Sequence, residues 1–455
     1  MRTKNCRSTI SPLEGGGEKE GVNVALLRSI LIFSLTAAAI GCSGRTSTQS
    51  TSQQSLGVAE FQEVSGQVPA GIVEIQGVGA GAFTPSFWQH DTLNWVPDVR
   101  APMLAPQTTG PFQNIYAPWP LEQPEGWRLF YGGWDGTDTQ NDRVYSATTP
   151  DFLGFDNRIL VIDHGAFLHV NNESVQQLPD GSMHMITTVC CPNNLDKPAY
   201  FSSPDGLTWN GSPEPYSAQL SDMVTIQNDP TYAGYDFNGG NALLRGNDTW
   251  TLYYSVGVFA GIGQVYQATS TSPPAFERTG VALSTLSFAN DVKKFQAGGE
   301  DWYVMALYIW GAPPTPIAPA FSYSLSNDGS QFGPMQNLFG AAYSQDQFFL
   351  TPAFVTRGNQ VLGVVYGAGP VDTFDQNMIF ARWLQKKLVI TESSGTQVAA
   401  HGGYGSDRQW FQAPQSGSLV GTIMVFAEDG ITPLASGLVN VSAGKAYRLV
   451  VVGGG

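Results

Sequence analysis

Met183-His-Met-Ile-Thr-Thr-Val189, then Ala199-Tyr-Phe-Ser202, then Ser203-Pro-Asp-Gly-Leu-Thr-Trp209: two apolar or alternating runs and a Ser-x-Asp-Gly turn closing on an aromatic residue. Alternation and β-branched or aromatic residues mark the runs as strands, and Asp-Gly marks the turn. The same grammar returns at Trp302-Tyr-Val-Met-Ala-Leu307, Ala320-Phe-Ser-Tyr-Ser324 and Ser326-Asn-Asp-Gly-Ser-Gln-Phe332. Weaker copies lie at Trp127-Arg-Leu-Phe-Tyr-Gly-Gly133 with Arg143-Val-Tyr-Ser-Ala147, at Trp250-Thr-Leu-Tyr-Tyr254 with Gln264-Val-Tyr-Gln-Ala268, and at Val361-Leu-Gly-Val-Val-Tyr366 with Met378-Ile-Phe-Ala-Arg-Trp383. Self-similarity at an irregular period of roughly 50–65 residues points to an array or a propeller. Five such units predict an all-β fold, a five-bladed β-propeller over residues 112–387, which leaves few exposed sheet edges.

Outside the repeat, residues 57–111 read as an irregular segment packing on the propeller, and residues 388–455, with short alternating strands and turns at Glu428-Asp-Gly430 and Ala443-Gly444, as a small C-terminal β-sandwich. Tyr404 and Trp410 there are either a sugar-stacking pair or core aromatics. At the other end, the apolar run 29–41 follows Arg28 and precedes Cys42. It is too short to span a bilayer but suits the core of a secretory signal. The small residues before Cys42 resemble a lipobox. A signal peptide over 1–41, lipidation at Cys42, a flexible Ser/Thr/Gln-rich tether over 42–56 and an exported, lipid-anchored protein at the bacterial cell envelope are therefore expected. The membrane would be met only through that anchor.

The chain has 455 residues and a formal net charge of -15, with 13% charged and 42% hydrophobic residues. That charge repels polyanions, so nucleic acid is a poor partner. Beyond Cys42 the mature body holds only Cys190 and Cys191, adjacent, either bridged or as two thiols filling a turn. The five histidines show neither HExxH nor CxxC spacing, and no Gly-x-Ser-x-Gly elbow or phosphate loop occurs. No cofactor and no metal site is expected. An axial Ca²⁺, or one held by the oxygen-rich run from Asp135 to Asp142, has the bland alternative of a solvated loop.

The five units, the Ser-x-Asp-Gly tips and the run Pro150-Asp-Phe-Leu-Gly-Phe155, His169-Val-Asn-Asn-Glu-Ser-Val175 and Leu178-Pro-Asp-Gly181 resemble the five-bladed propeller glycosidases, glycoside hydrolase families 43, 32, 62, 117 and 130, over roughly residues 112–390. The tips also resemble the Asp-box of sialidase propellers. The resemblance implies action on an oligo- or polysaccharide through two carboxylates, an acid and a base or nucleophile, and a monomer is expected.

In an up-and-down blade, the start of the innermost strand and the loop between strands two and three face one mouth, which is the default site. Its expected sugar-binding residues are Asn114, Trp119, Trp134, Asp135, Arg143, Asn171, Asn172, Asn238, Asn241 and Trp310. Where the families carry acids, this chain has Asn114, Asn171-Asn172 and Asn238-Gly-Gly-Asn241. An amide supplies neither a labile proton nor a base. Any catalytic pair must come from other mouth carboxylates, and Glu173 as acid with Asp291 as base is the expected one, Asp236 standing next. The alternative is a glycan-binding surface lipoprotein with an Asn-substituted, non-cleaving site.

Overall fold

The computed structural model describes residues 56–64, 68–108, 113–136, 141–191, 195–212, 215–237, 240–309, 320–371 and 376–452. The signal, the lipidation site Cys42, nearly all of the tether, Asn238 and Trp310 lie outside them. No helix among the described residues is long and apolar enough to cross a membrane.

Five antiparallel sheets form the blades of a propeller. Their innermost strands are Asn114–Gln123, His169–Gln177, Asn241–Arg245, Phe288–Ala297 and Phe348–Arg357, each succeeded outward by the next strands in sequence. These inner strands neighbour one another around the axis in the order blade 1 to 5 and back to 1. The Ser-x-Asp-Gly tips are built as their residues dictate. Ser203 Oγ accepts the Gly206 N–H at 2.8 Å, while Asp205 Oδ1 accepts the N–H groups of Leu207 and Thr208 at 2.8 and 2.7 Å. Ser326 and Asp328 repeat the pattern with Gly329, Ser330 and Gln331. Side-chain oxygens thus satisfy turn amides that the sheet cannot.

Blade 2 keeps three strands, and the chain beyond Ser203 runs as a strap. Tyr216–Ser217 adds in parallel to Ile162–Asp163 of blade 1, Met223 bridges Ala199, and Thr225–Gln227 adds in parallel to Ala275–Glu277 of blade 3. The strap covers the short blade with pairs on both neighbours.

Residues 57–111 are not the irregular packing segment that their sequence suggests. Gly57–Val64 enters the middle of the C-terminal sheet, parallel to the strand Pro433–Ser442 and antiparallel to Ala446–Val452. Ile72–Gln76 joins the same sheet between Ala446–Val452 and Arg408–Gln412. The C-terminal β domain is therefore one continuous nine-stranded sheet, curled around Ala59, Val73, Ile75, Phe411, Ile423, Val425, Val439 and Leu449, and residues 388–455 alone do not complete it. Next, Trp95–Pro97 pairs with Arg382–Leu384 as the outermost strand of blade 5, closing the ring with chain that precedes blade 1.

Asp98 ends that closing strand. Its carboxylate is fully buried and takes Arg100 at 2.7 Å, the Trp383 indole N–H at 2.7 Å and the Gly405 N–H at 3.3 Å, tying propeller to C-terminal domain. Asp98→Ala leaves two buried donors and a guanidinium unpaired, and is expected to destabilise the fold by about 3–5 kcal/mol, read as a fall in the urea midpoint.

Candidate functional site

Four inner strands carry a β-bulge at the same height. Ala117-Pro118, Asn172-Glu173 and Thr351-Pro352 are each two residues facing one on the neighbouring strand, and Asn290 is a single extra residue before Asp291. The first residue of the three larger bulges is left-handed, with φ of 52°, 58° and 46° for Ala117, Asn172 and Thr351. Asn tolerates that region, but a β-branched Thr there is strained, and such strain gathers where a fold must aim a side chain. The bulge puts Glu173 out of the alternation of its strand.

Glu173 is only 4% exposed, and neither carboxylate oxygen has a hydrogen-bond partner from another residue. Burial pushes its pKa well above the usual carboxylate range, its own backbone N–H opposes, and the charge of Asp142 raises it further. Asp142 sits just before the third strand of blade 1 and accepts the Asn171 amide at 2.8 Å and the Tyr116 hydroxyl. Burial, reinforced by Asp142, holds Tyr116 well above an ordinary phenol, so it stays a proton donor. Gly132 packs beneath: a Cβ there would stand 2.9 Å from Asn171 Cβ and 3.2 Å from Glu173 Oε1. The floor of the site is thus an uncommitted acid beside a carboxylate held by two donors.

A second group lies nearer the strand starts of blades 2 and 3. His169 Nε2 is 3.6 Å from Asp196 Oδ1, and the Asp196 N–H donates to Asp236 Oδ1 at 2.9 Å. Lys197 donates to the Tyr235 carbonyl at 2.9 Å and lies 4.7 Å from the centre of the Tyr232 ring. Burial pushes Asp196 up to about 6, with His169 pulling down and Asp236 pushing up. Beside them Cys190 and Cys191 form a vicinal disulfide, so although His169, Cys190 and Asp196 are close enough to share an ion, the sulfur is not a free thiolate. Raised from an ordinary value near 3.8, Asp196 favours the fold when protonated. That stability is complete below about pH 4 and is lost as pH rises through about 6. The shift is worth about 3 kcal/mol, so Asp196→Asn is expected to flatten the decline in urea midpoint between pH 4 and 7.

Asp291, the expected partner of Glu173, is engaged by other groups. Asp291 is fully buried, accepts the Phe354 N–H at 2.8 Å and lies 3.3 Å from Lys293 Nζ, joining blade 4 to blade 5. The carboxylate that Glu173 feels is Asp142, which sequence reasoning left inside a solvated loop. The strand-start amides serve as bolts too. Asn377 donates to Asn114 Oδ1 at 2.9 Å between blades 5 and 1, and Asn241 donates to the Asn172 carbonyl at 3.2 Å between blades 3 and 2. At blades 3 and 4, Ser255 Oγ accepts the Ala289 N–H at 3.2 Å. Each meeting of inner strands needs such a bolt because β-ladders do not cross between blades.

Three other expected sugar contacts are structural. Trp119 is 1% exposed, with its N–H on the Val175 carbonyl at 2.9 Å and Lys293 over its ring. Asp135 is held by Arg158, Tyr131 and the Gln107 N–H. Arg143 is spent on Asp163 at 2.6 Å and the Asn141 carbonyl at 3.0 Å. Trp134 is buried at the end of its strand opposite Asn114, and its indole N–H has no partner.

No family model matches the chain, and no curated protein matches it. Solved structures similar to it include the catalytic domain of a family-62 α-L-arabinofuranosidase from Coprinopsis cinerea, with 13% identity over 65% of this chain and 98% of that one, TM-score 0.46. A family-32 β-fructofuranosidase from Bombyx mori gives 7% identity, 81% and 97% coverage and a TM-score of 0.42. A thermostable family-43 glycoside hydrolase gives 13% identity, 62% and 92% coverage and 0.41. These are the families that the blades and tips resemble. At such identities the similarity concerns the fold, and no residue or activity is carried over from those proteins.

Proposed function

We propose that the propeller is carbohydrate-active and cleaves glycosidic bonds of an extracellular glycan, with Glu173 as the proton donor and Asp142 as the partner carboxylate. The observation that supports this reading is Glu173 itself, a buried acid whose pKa burial raises, without a partner from another residue, beside a second carboxylate. Two carboxyl groups in unlike environments are what acid-assisted glycoside cleavage requires. Asn171 and Tyr116 orient Asp142. In this reading residues 1–41 direct export and Cys42 carries the lipid.

A second reading, a glycan-binding protein that does not cut, draws on Asn114 and Asn241 standing at strand starts where the resembling families carry acids. The two part on one experiment. Residues 56–455, with their N-terminal strands intact, are incubated with plant and microbial glycans and aryl glycosides, and released sugar is measured. Release by the parent supports cleavage, whereas retention on a glycan without release supports binding alone.

A further inference from the structure

Among the described Phe, Tyr and Trp side chains, Tyr235, next to the Lys197 cluster, and Tyr404, half-exposed on the C-terminal domain, are the exposed ones. Tyr404 does not stand alone. With Trp410, Arg408, Glu74, Ile72, Val68 and Pro69 it lines a cavity of about 160 Å³. Strand Ile72–Gln76 supplies one wall and the hairpin of His401–Gly402 with Arg408–Gln412 the other, so the cavity exists only because the N-terminal strand joins this sheet. Gly403 lets the hairpin close. A Cβ there would meet Arg408 Cβ and its carbonyl at 2.5 and 2.6 Å.

The lining has the chemistry of a sugar subsite. The Trp410 indole N–H donates to the Gly402 carbonyl at 2.8 Å, and the His401 ring packs tilted against it with centroids 4.6 Å apart, so the indole is fixed in place. Arg408 Nη1 and Glu74 Oε1 are 3.2 Å apart, with both side chains still partly exposed. Arg offers only donors and Glu only acceptors. Side by side they suit two neighbouring hydroxyls, each of which donates and accepts. The pair is neutral as a unit, and the chain's net charge of -15 disfavours an anionic ligand. The volume falls below the ~300–1,000 Å³ of ordinary small-molecule clefts, which leaves room for one ring rather than a chain.

We infer that this cavity is a second carbohydrate site, on a domain apart from the propeller mouth, taking one neutral sugar ring of a polymer. The C–H face of the ring lies on Tyr404 and Trp410, and its vicinal hydroxyls meet Arg408 and Glu74. It rests on the carbohydrate reading of the propeller only for its biological sense; its residues are independent of Glu173 and Asp142. The site holds polymer near the propeller and leaves small substrates unaffected.

The test is affinity electrophoresis of the full chain through gels containing arabinoxylan, arabinan, mixed-linkage β-glucan or galactomannan, beside Tyr404→Ala and Arg408→Met variants of unchanged melting temperature. The parent is expected to be retarded by at least one of these polymers. Each variant is expected to lose about tenfold in affinity, the loss of an aromatic or charged contact, while cleavage of a short aryl glycoside stays at the parental rate. Retardation that ignores both substitutions, or no retardation of the parent in any gel, overturns the site. The glycosidase reading fails separately: retardation that depends on Tyr404 in a protein that releases no sugar keeps this site and discards the cutting propeller.

Discussion

Glu173→Gln is expected to lower glycoside cleavage by about 10²–10⁴-fold while leaving the fold intact. Gln fills the same volume and carries no charge. It therefore removes the proton and little else from a side chain whose oxygens have no partner from another residue. The pH profile gives the sharper readout. The folded pKa of Glu173 is raised, so the acid is competent at low pH and activity should fall as pH rises through that value. In the variant that alkaline limb should disappear. A substrate whose leaving group needs no protonation, such as a dinitrophenyl glycoside, should recover most of the lost rate. Loss without a change in the alkaline limb would make Glu173 structural. Asp142→Asn should cost activity with every leaving group, because its partnership does not depend on the departing oxygen.

Deletion of residues 57–111, which sequence alone presents as an irregular segment packing on the propeller, is expected to abolish folding altogether. It removes the central strand Gly57–Val64 and its neighbour Ile72–Gln76 from the nine-stranded sheet, along with the strand that closes blade 5. Val73, Ile75 and Val78 are fully buried, and each contributes about 1.5–3 kcal/mol. A domain's whole stability is about 5–15 kcal/mol, so these three and the opened ring exceed what the remainder can absorb. The expected result is insoluble protein, or a soluble one without a cooperative urea transition. A narrower version keeps every residue. Gly437 lies so close to the incoming strand that a Cβ would stand 2.0 Å from the Ala59 carbonyl, so Gly437→Val should expel that strand. A cooperative transition in both proteins would mean the N-terminal strands are ornament.

The blades were legible because their information is local. Alternation in Met183–Cys190 and the Ser203-x-Asp205-Gly206 turn specify strand and tip within a few residues, and the hydrogen bonds follow the letters. Strand insertion is not local. Gly57–Val64 belongs to a segment that reads as irregular, and nothing in its pattern names Ala446–Val452 as its partner. Site residues were hidden by a related problem. A bulge shifts register by one residue, so Asn171 and Glu173 end in different environments although both lie at the same strand start. Asp142 carries no motif, and only the approach of blade 2 to the loop of blade 1 gives it Asn171 as a donor. The amides at Asn114 and Asn241 were visible as departures from the resembling families; their use as bolts between blades appears only once the ring is closed.

The central position of Gly57–Val64 also fixes when the molecule can finish folding. Val58 pairs with Val452, so a strand made early waits for a partner far down the chain, and the closing strand Trp95–Pro97 waits for Arg382–Leu384. Such long-range pairing is slow and leaves sticky edges exposed meanwhile. The same pairing sets the first strand of the sheet beside the last one described, with Val58 opposite Val452. A circular permutant of residues 57–452 that joins Val452 to Gly57 by a short linker and opens at the exposed turn around Asp180 would keep every strand pair.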